Sequence, residues 1–491
     1  MNDPAPSNGP GARAEGGTAR DPSWADQDVA VVGTGVAGSA VVRVLRGLGA
    51  VVVAYDERTD QSAQARADLL RADGVEVRLG AKAPAAGTTL VITSPGVPPT
   101  APILLAARER GLRVWGEAEL AWRLRRPGAA PWLVVTGTNG KTTTVGMLAA
   151  ILAADGRRVV AAGNIGRPLV DVVRADEPYN VVAVELSSFQ LDASESITPL
   201  AAVILNLAPD HLDWHGSYAA YVAAKARAYE RCATVVYPLA DAAVVELAQA
   251  AVRRSGGRLV GLTRGIPPAG SLGLVEGILV DRAFGTDPIN AAEELATTDD
   301  LFASAPHVVD DALAAAALAR AAGVAPAAVR AGLAGFRPDP HRIAQVAVVD
   351  GVTYVDDSKA TNPHAALASL SAYAHVVWVA GGLAKDADFD DLVAAVGHRL
   401  RAAVLIGRDR EMIREALARH APEVPVHEVA STEDDVMEDV VWAAARLAVP
   451  GDTVLLAPGC ASWDMFANYG ARGDAFANAV LGRAAAHDGR S

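Results

Sequence analysis

A glycine-rich loop between a strand and a helix constrains this chain more than any other feature. Residues 136–143 read Thr-Gly-Thr-Asn-Gly-Lys-Thr-Thr, directly after the apolar segment 132–135 and directly before the helical segment 145–152. Glycines let backbone N–H groups approach phosphate oxygens, and the N-terminus of the next helix adds partial positive charge. The loop predicts a nucleoside triphosphate site. Its spacing is shorter than the usual GxxxxGK[ST] motif, and a plain glycine turn is the alternative.

Strand and helix patterns alternate along most of the chain. Segments 29–32 and 51–55 are strand-like and flank a glycine turn and an amphipathic stretch, which makes one βαβ unit. Further strands are predicted at residues 89–92, 113–115, 132–135, 181–184, 202–205, 344–348, 352–355, 376–379, 402–406 and 453–456. Alternation of this kind predicts an α/β protein with largely parallel sheets.

The length of 491 residues predicts several domains, because single cores usually stop growing by about 250–300 residues. We predict a first domain over residues 24–127, a central domain over 128–335 and a third over 336–491. Residues 1–23 are rich in Gly, Pro, Ala and Asp, without a basic segment followed by an apolar one. They are therefore expected to be a disordered tail rather than a signal peptide.

Composition restricts the partners of the protein. Lys and Arg number 44 against 57 Asp and Glu, and the net charge of −13 argues against nucleic acid as a partner. The two cysteines, Cys232 and Cys460, are too few for a disulfide scaffold and favour a reducing cytosol, with Cys460 expected to be a small buried residue. Prolines interrupt the long uncharged segment 83–107, so no membrane insertion is expected.

Two polar groups follow strands of the predicted central sheet. Glu185 ends the strand 181–184, where a carboxylate can hold a nucleotide-bound metal or cap a helix. His211 lies among acidic residues after the next strand, which suggests metal ligation or proton transfer. Lys225, considered alone, is predicted to be a solvated surface lysine on a helix.

Polar loops also mark the two flanking domains. Loops at 356–362, 381–385 and 458–464 follow strands of the third domain and predict a rim that binds an acceptor substrate. In the first domain, Gly33, Gly35 and Gly38 with Asp56 form a weak dinucleotide-binding pattern. An NAD-dependent oxidoreductase is thus one alternative, although it leaves the phosphate loop and Glu185 unexplained. A binding protein in which ATP only drives closure is another.

These motifs resemble the Mur ligases of peptidoglycan synthesis over nearly all of the chain after residue 23. The resemblance rests on segments 136–143, 163–166, 185–190, 210–213, 341–342, 357–362 and 458–464, which occur in the order of the family. It implies a Rossmann-like N-terminal domain for UDP, a central P-loop-type ATPase domain and a Rossmann-like C-terminal domain for an amino acid. The loops at 359–362 and 460–462 resemble the D-glutamate-adding branch most closely.

The resemblance implies a cytoplasmic, monomeric ligase that uses ATP and Mg²⁺. Its substrates would be UDP-N-acetylmuramoyl-L-alanine and D-glutamate. The implied catalytic residues are Lys141, Glu185, His211 and Lys225, and the implied metal ligands are Thr142, Glu185, His211 and Lys225. Lys225 would carry CO₂ as a carbamate, which contradicts its prediction as a solvated surface lysine.

The resemblance also assigns three groups of binding residues. Those for ATP are Gly137, Thr138, Asn139, Gly140, Lys141, Thr142, Thr143, Asp311, Arg342 and Asp357. Those for the UDP-sugar are Gly35, Val36, Ala37, Asp56, Arg58, Ser94, Pro95, Gly96, Asn164, Ser187 and Gln190. Those for D-glutamate are Lys359, Thr361, Lys385, Ser462 and Tyr469.

Two positions depart from the pattern of the family. Val308 and Asp311 stand where similar enzymes commonly carry the two asparagines of a His-Asn-x-x-Asn segment that contacts adenine. Glu57 follows Asp56 where similar enzymes often carry a small hydroxyl residue. The resemblance therefore does not identify which residues contact adenine and uracil.

Overall fold

A computed structural model of the chain describes residues 24–385, 387–429 and 436–488. The predicted tail, residues 1–23, lies outside this range. The described chain divides into two compact units between Ala121 and Trp122, whereas the sequence predicts a first boundary at residue 127. The second unit contains two sheets.

The first unit is a five-stranded parallel sheet with helices in its crossovers. Its elements are β1 (Asp28–Val32), α1 (Val36–Gly47), β2 (Val51–Asp56), α2 (Gln61–Ala72), β3 (Glu76–Leu79), β4 (Leu90–Thr93), α3 (Pro102–Glu109), β5 (Arg113–Gly116) and α4 (Glu117–Arg123). The strand order is β3-β2-β1-β4-β5, and apolar residues such as Ala30, Val32 and Val91 form the core. The loops after β1, β2 and β4 therefore leave the sheet side by side.

The second unit begins with a nine-stranded sheet in the order β14-β13-β12-β11-β10-β9-β6-β8-β7. Its strands are β6 (Trp132–Thr136), β7 (Val159–Gly163), β8 (Val181–Glu185), β9 (Ala201–Ile204), β10 (Thr234–Pro238), β11 (Arg258–Leu262), β12 (Ser271–Val275), β13 (Ile278–Asp281) and β14 (Glu293–Thr297). Its helices are α5 (Lys141–Ala154), α6 (Leu169–Val173), α7 (Ser188–Asp192), α8 (Leu212–His215), α9 (Tyr218–Ala226), α10 (Ala242–Ser255), α11 (Pro306–Ala321) and α12 (Pro326–Gly335).

Helix α11 explains how the central core is built. Proline at its first turn suits a helix start, because that position has no intrahelical N–H bond to lose. The run of alanines at residues 314–317 is fully buried, and small side chains allow close packing with α5 and the sheet. This packing holds the N-terminus of α5 next to Asp311, one turn into α11.

The second unit ends with a six-stranded sheet in the order β15-β16-β20-β17-β18-β19. Its elements are β15 (Ala344–Val349), β16 (Val352–Asp356), α13 (Pro363–Leu370), β17 (Val376–Gly381), α14 (Asp390–Val396), β18 (Leu400–Ile406), α15 (Arg410–His420), β19 (Val426–Glu428), α16 (Val436–Leu447), β20 (Thr453–Leu456) and α17 (Tyr469–Asp488). Strands β16, β20 and β17 are parallel neighbours, so the three polar loops that follow them share one edge.

The predicted α/β class is confirmed, and the two units together carry three sheets. The prediction of largely parallel pairing holds except at two sheet edges. Strands β12, β13 and β14 pair antiparallel, and β15 pairs antiparallel with β16. Within the described residues, no helix combines the length and the apolar character that a membrane span requires.

Candidate functional site

The phosphate loop has the backbone shape that its glycines allow. It connects β6 to α5, and Gly140 precedes the helix with φ +82°, a left-handed conformation. A Cβ at Gly140 would lie 2.3 Å from Asp311 Oδ1, and one at Gly137 would lie 3.0 Å from Leu205 Cβ. Side chains at these two positions would strain the loop and collide with its support.

The segment after β9 braces the phosphate loop. Thr138 N donates to Asn206 O at 3.0 Å, and Asn139 N donates to Asn206 Oδ1 at 2.9 Å. Lys141 Nζ folds back onto the loop, with 3.0 Å to Gly137 O and 2.8 Å to Thr138 O. The lysine is thus held at the mouth of the loop, where the outer phosphates of a nucleotide would lie.

Glu185 lies beside the start of α5 and is 1% exposed. Thr142 Oγ1 donates to Glu185 Oε2 at 2.9 Å, and Asn164 Nδ2 donates to Glu185 Oε1 at 2.9 Å. The sequence assigned Thr142 and Glu185 to the metal and Asn164 to the sugar nucleotide, and the structure joins the three side chains. The carboxylate and hydroxyl oxygens face one another at the phosphate loop.

The donor chemistry of this site fits Mg²⁺. Among the described residues, no group of three or more His, Cys, Asp or Glu could hold a metal ion by itself. Mg²⁺ usually takes one or two carboxylates and completes its shell with water and phosphate oxygens. Glu185 and Thr142 offer that limited set of hard oxygens.

His211 precedes α8 with φ +53° and contacts an aromatic cluster. Its ring centroid lies 4.7 Å from that of Phe189, and its Nε2 lies 3.4 Å from Asp210 Oδ2. The His211 side chain is 46% exposed, and partial desolvation of its ring lowers its pKa, against the effect of Asp210, while the charge of Lys141 lowers it further. A neutral imidazole is thereby favoured, which is the form that can bind a metal or accept a proton.

Lys225 is buried, with 2% of its surface exposed, so its interpretation as a solvated surface lysine is wrong. Helix α9 turns the side chain under the phosphate loop, where Nζ donates to Gly137 O at 2.7 Å and to Thr136 Oγ1 at 3.3 Å. Burial holds the pKa of Lys225 well below its usual range, and the charge of Lys141 lowers it further. The environment therefore favours the neutral amine.

Asp311 lies beneath the loop and is buried. Its Oδ1 accepts from Thr144 Oγ1 at 3.0 Å. Burial raises the pKa of Asp311 well above its ordinary value. A protonated carboxyl has one donor and one acceptor side, as the asparagine amide of similar enzymes does. Its contact with adenine stays a prediction.

The six-stranded sheet also contributes charged residues near the phosphate loop, namely Arg342, Asp357 and Lys359. Burial is the largest influence on the pKa values of Lys141, Asp311, Asp357 and Lys359, and the positive charge of Arg342 lowers all four. Burial raises the pKa of Asp357 to about 6, and burial together with Arg342 lowers the pKa of Lys359 to about 8. Charged groups next to the nine-stranded and the six-stranded sheets of the second unit thus influence one another's pKa values.

The predicted D-glutamate residues occupy two parts of the same sheet edge. Lys359 Nζ lies 4.0 Å from the ring centroid of Tyr469, and Lys385 Nζ lies 4.5 Å from that of Trp463. Ser462 is buried in the loop after β20, and Thr361 is half-buried in the loop after β16. Both lysines thus stack on aromatic rings.

Arg472 was not identified from the sequence, although it organises this edge. The side chain is 1% exposed and bonds to all three loops: to Ser358 Oγ at 3.0 Å, Ser358 O at 2.9 Å, Cys460 O at 3.1 Å and Gly381 O at 3.5 Å. Burial lowers the pKa of Arg472 to about 10. Cys460 is fully buried, as expected. An arginine within a helix carries no sequence signal for such a role.

The first unit has its own candidate site at the ends of β1, β2 and β4. Asp56 accepts from Thr34 Oγ1 at 2.7 Å and from Arg58 at 3.0 Å (Nε) and 2.9 Å (the second guanidinium nitrogen). Burial alone would raise the pKa of Asp56, but the bonds from Arg58 and Thr34 outweigh it and hold the pKa well below its usual range. Asp56 therefore stays ionised and shapes the glycine turn.

The remaining predicted UDP-sugar residues lie around two turns. Ser94 Oγ donates to Gly33 O at 3.2 Å and leads into Pro95 and Gly96, while Gly35, Val36 and Ala37 begin α1. In the second unit, Ser187 and Gln190 bond to each other in a capping box that starts α7. Their structural role is clear from these bonds, and their contact with a ligand stays a prediction.

Comparison with known proteins identifies three consecutive matches to family profiles. They are described as Mur ligase MurD-like N-terminal domain (residues 27–116), Mur ligase middle domain (135–260) and Mur ligase glutamate ligase domain (341–460). A curated relative from Streptomyces avermitilis is 58% identical over 94% of this chain and 99% of its own length. One from Mycolicibacterium smegmatis is 48% identical over 92% of this chain and 96% of its own length. Both relatives are named UDP-N-acetylmuramoylalanine–D-glutamate ligase.

Solved structures share the fold at lower identity. UDP-N-acetylmuramate–alanine ligase from Thermotoga maritima is 19% identical, with 93% of this chain and 99% of that chain covered at a TM-score of 0.54. Folylpolyglutamate synthase from Mycobacterium tuberculosis, complexed with ADP and AMPPCP, is 19% identical, with 73% and 93% covered at a TM-score of 0.55. These structures support the architecture of the three sheets.

Proposed function

Because the chain belongs to the Mur ligase family, we propose that it joins D-glutamate to UDP-N-acetylmuramoyl-L-alanine with the use of ATP. One observation carries the chemical part of this proposal. The phosphate loop, Glu185 and Lys225 converge at one sheet edge, and charged residues of the second sheet face the same place. The name of the curated relatives supplies the two substrates.

The first step activates a carboxylate, which is a poor electrophile. An oxygen of the L-alanyl carboxylate attacks the γ-phosphorus of ATP, the bond to the bridging oxygen breaks, and ADP leaves. The product is an acyl phosphate. Lys141 and the N-terminus of α5 hold the phosphates and stabilise their charge, an effect worth several kcal/mol at a transition state.

Glu185 and Thr142 would hold Mg²⁺ together with the phosphates, because both offer hard oxygen ligands beside the loop. The ion would neutralise phosphate charge. His211 is proposed as a further ligand, since its lowered pKa favours the neutral imidazole.

Lys225 is proposed to carry CO₂. The neutral amine attacks the carbon of CO₂, a nitrogen–carbon bond forms, and one proton is released. The carbamate retains one N–H, which can still donate to Gly137 O, and it gains a negative charge. The low pKa of Lys225 supports this reaction, because only the neutral amine has a free electron pair.

The second step forms the amide bond. The neutral amine of D-glutamate attacks the acyl carbon, the bond between that carbon and the phosphate oxygen breaks, and phosphate and the proton of the amine are released. We assign Lys359, Thr361, Lys385, Ser462 and Tyr469 to D-glutamate, with the lysines facing its carboxylates. No protein nucleophile takes part, so we propose no covalent enzyme intermediate.

The UDP group is assigned to the glycine turn of the first unit, with Asp56 and Arg58 shaping it. We further propose that the protein acts in the cytoplasm as a monomer. Both cysteines are buried and unpaired, as is usual in a reducing compartment.

A single assay tests the function. Purified protein is incubated with ATP, Mg²⁺ and UDP-N-acetylmuramoyl-L-alanine, with D-glutamate, with L-glutamate, or with neither, and phosphate and product mass are measured. We expect phosphate release with D-glutamate and a nucleotide product heavier by one glutamyl residue. Release without any mass gain, or release that is equal with L-glutamate, would contradict the proposed reaction.

A further inference from the structure

We propose that Asn139, Asn362 and His364 form a clasp that positions the amino-acid-binding loop against the phosphate loop. Asn362 Nδ2 donates to Asn139 Oδ1 at 3.2 Å, and Asn139 Nδ2 lies 2.9 Å from His364 Nδ1. The inference rests on the ligase function proposed above and adds positioning residues to it. His364 has no role in the assignments made so far.

The backbone of Asn139 is held by Asn206, and its side chain contacts the segment that begins α13. Its N–H donates to Asn206 Oδ1 at 2.9 Å, and its carbonyl accepts from Asn206 Nδ2 at 3.2 Å. Its side-chain amide then uses both polar atoms on residues that begin α13. The phosphate loop and the loop that carries Lys359 and Thr361 are therefore linked directly.

The direction of every bond in the clasp follows from one helix cap. Asn362 Oδ1 accepts from Ala365 N at 2.8 Å and caps α13, so Asn362 must present its Nδ2 to Asn139. Asn139 consequently accepts at Oδ1 and donates from Nδ2. His364 Nδ1 must then be the acceptor, which places the ring hydrogen on Nε2.

The clasp consequently requires a neutral His364. A protonated imidazole has N–H groups at both nitrogens and cannot accept from Asn139. The residue lies at the surface, and partial desolvation of its ring lowers the pKa of His364, an effect that the negative charge of Asp241 opposes. The link is thus present at neutral pH and is lost as the pH falls through a value below about 6.5, the ordinary pKa of histidine.

The position of the clasp gives it a role in amide formation. Attack on an acyl group needs the two reacting groups to be held in a near-attack geometry. The acyl phosphate forms at the phosphate loop, whereas the loops of the six-stranded sheet position the amine of D-glutamate. Asn362 and His364 act through Asn139 and are therefore positioning residues.

Two variants test the clasp at pH 8 and across the acid range. His364→Ala should lower kcat/KM for D-glutamate about three- to tenfold, the expected effect of one hydrogen bond, with the affinity for a non-hydrolysable ATP analogue unchanged. His364→Asn keeps an acceptor at the position of Nδ1 and cannot be protonated. We expect it to match wild type at pH 8 and to lose less activity than wild type as the pH falls below about 6.5.

Hydrogen–deuterium exchange without substrates gives an independent measurement. Uptake in a peptide that covers residues 136–144 should rise in His364→Ala and not in His364→Asn, with a peptide that covers 453–456 as the folding control. Three results would overturn the clasp. They are equal deuterium uptake in wild type and both variants, an equal fall in kcat/KM in both variants, and a loss of activity below about pH 6.5 that is as large in His364→Asn as in wild type. If wild type shows no turnover that depends on D-glutamate, the proposed ligase function is refuted. The hydrogen–deuterium exchange result would still test whether the clasp exists.

Discussion

Two lysine amines meet at one carbonyl oxygen of the phosphate loop. Lys141 Nζ and Lys225 Nζ lie 3.0 Å and 2.7 Å from Gly137 O. Burial lowers the pKa values of both lysines, and the charge of Lys141 lowers the pKa of Lys225 further. A carbamate on Lys225 would place an anion beside the Lys141 amine, where the structure otherwise favours a neutral Lys225.

The first prediction concerns Lys225→Ala. We expect turnover to fall by roughly 10²-fold or more, the usual effect of removing a group that stabilises transition-state charge. A short carboxylic acid such as acetate should restore part of the activity, since it can place an oxygen anion in the vacated space. Lys141→Ala serves as the matched control and should not respond to acetate. Equal responses of the two variants, measured as phosphate release against acetate concentration, would refute the carbamate.

A second prediction at this scale concerns the charge of Glu185. Glu185→Gln keeps an acceptor for Asn164 and a partner for Thr142, so the local bonds survive while the negative charge is lost. The Mg²⁺ concentration for half-maximal activity should rise on the order of tenfold or more, because even indirect partners of a metal change affinity by that factor. The exposed Glu423→Gln is the control. An unchanged Mg²⁺ requirement in Glu185→Gln would remove Glu185 from the metal site.

Two glycines with positive φ flank helix α5, and only one of them also lacks room for a side chain. Gly140 at its start and Gly156 after its end have φ of +82° and +75°, but a Cβ meets Asp311 only at Gly140 and meets nothing within 4 Å at Gly156. Gly156→Ala should therefore cost about 1–2 kcal/mol, the price of a left-handed backbone, and lower the thermal midpoint by about 2–4 °C per kcal/mol.

Gly140→Ala should lower the midpoint further and also abolish stabilisation by ATP. Both effects have one cause, because the methyl group must displace either the loop or the Asp311 carboxyl that supports it. Thermal melts of the two variants with and without Mg-ATP measure the difference. Equal midpoints and equal shifts by ATP would mean that the contact between Asp311 and the loop does not shape the nucleotide site.

Local patterns predicted the elements well and their long-range contacts poorly. The apolar runs and glycine turns located β1, β2, β6, β8 and the phosphate loop, because those signals lie within a few residues. Strands β3, β7, β10, β11 and β19 were not predicted, and neither was the antiparallel edge β12 to β14, whose strands carry no strong alternation. The burial of Lys225, the loop bonds of Arg472 and the link from Asn139 to His364 were missed for another reason. Each depends on residues far apart in the chain, up to 225 positions for the last.

The whole chain consists of two units with separate hydrophobic cores. The first unit buries Ala30, Val32 and Val91 within its own sheet, while the second has its largest core around α5 and α11. Each unit also carries one of the two turns proposed to bind a nucleotide. A unit with its own core can fold alone, so division of the chain at residues 121 and 122 should give two folded fragments.

The last prediction is that the two fragments respond to different nucleotides. At about 100 times its dissociation constant a ligand stabilises by about 2.7 kcal/mol, which for a domain of about 100 residues corresponds to a rise in thermal midpoint on the order of 10 °C. UDP should produce this rise in fragment 1–121 and leave fragment 122–491 unchanged, whereas Mg-ATP should raise the midpoint only of fragment 122–491. Stabilisation of fragment 122–491 by UDP would reverse the assignment of the two turns. Fragment 1–121 without a cooperative melt would show that its core needs the rest of the chain.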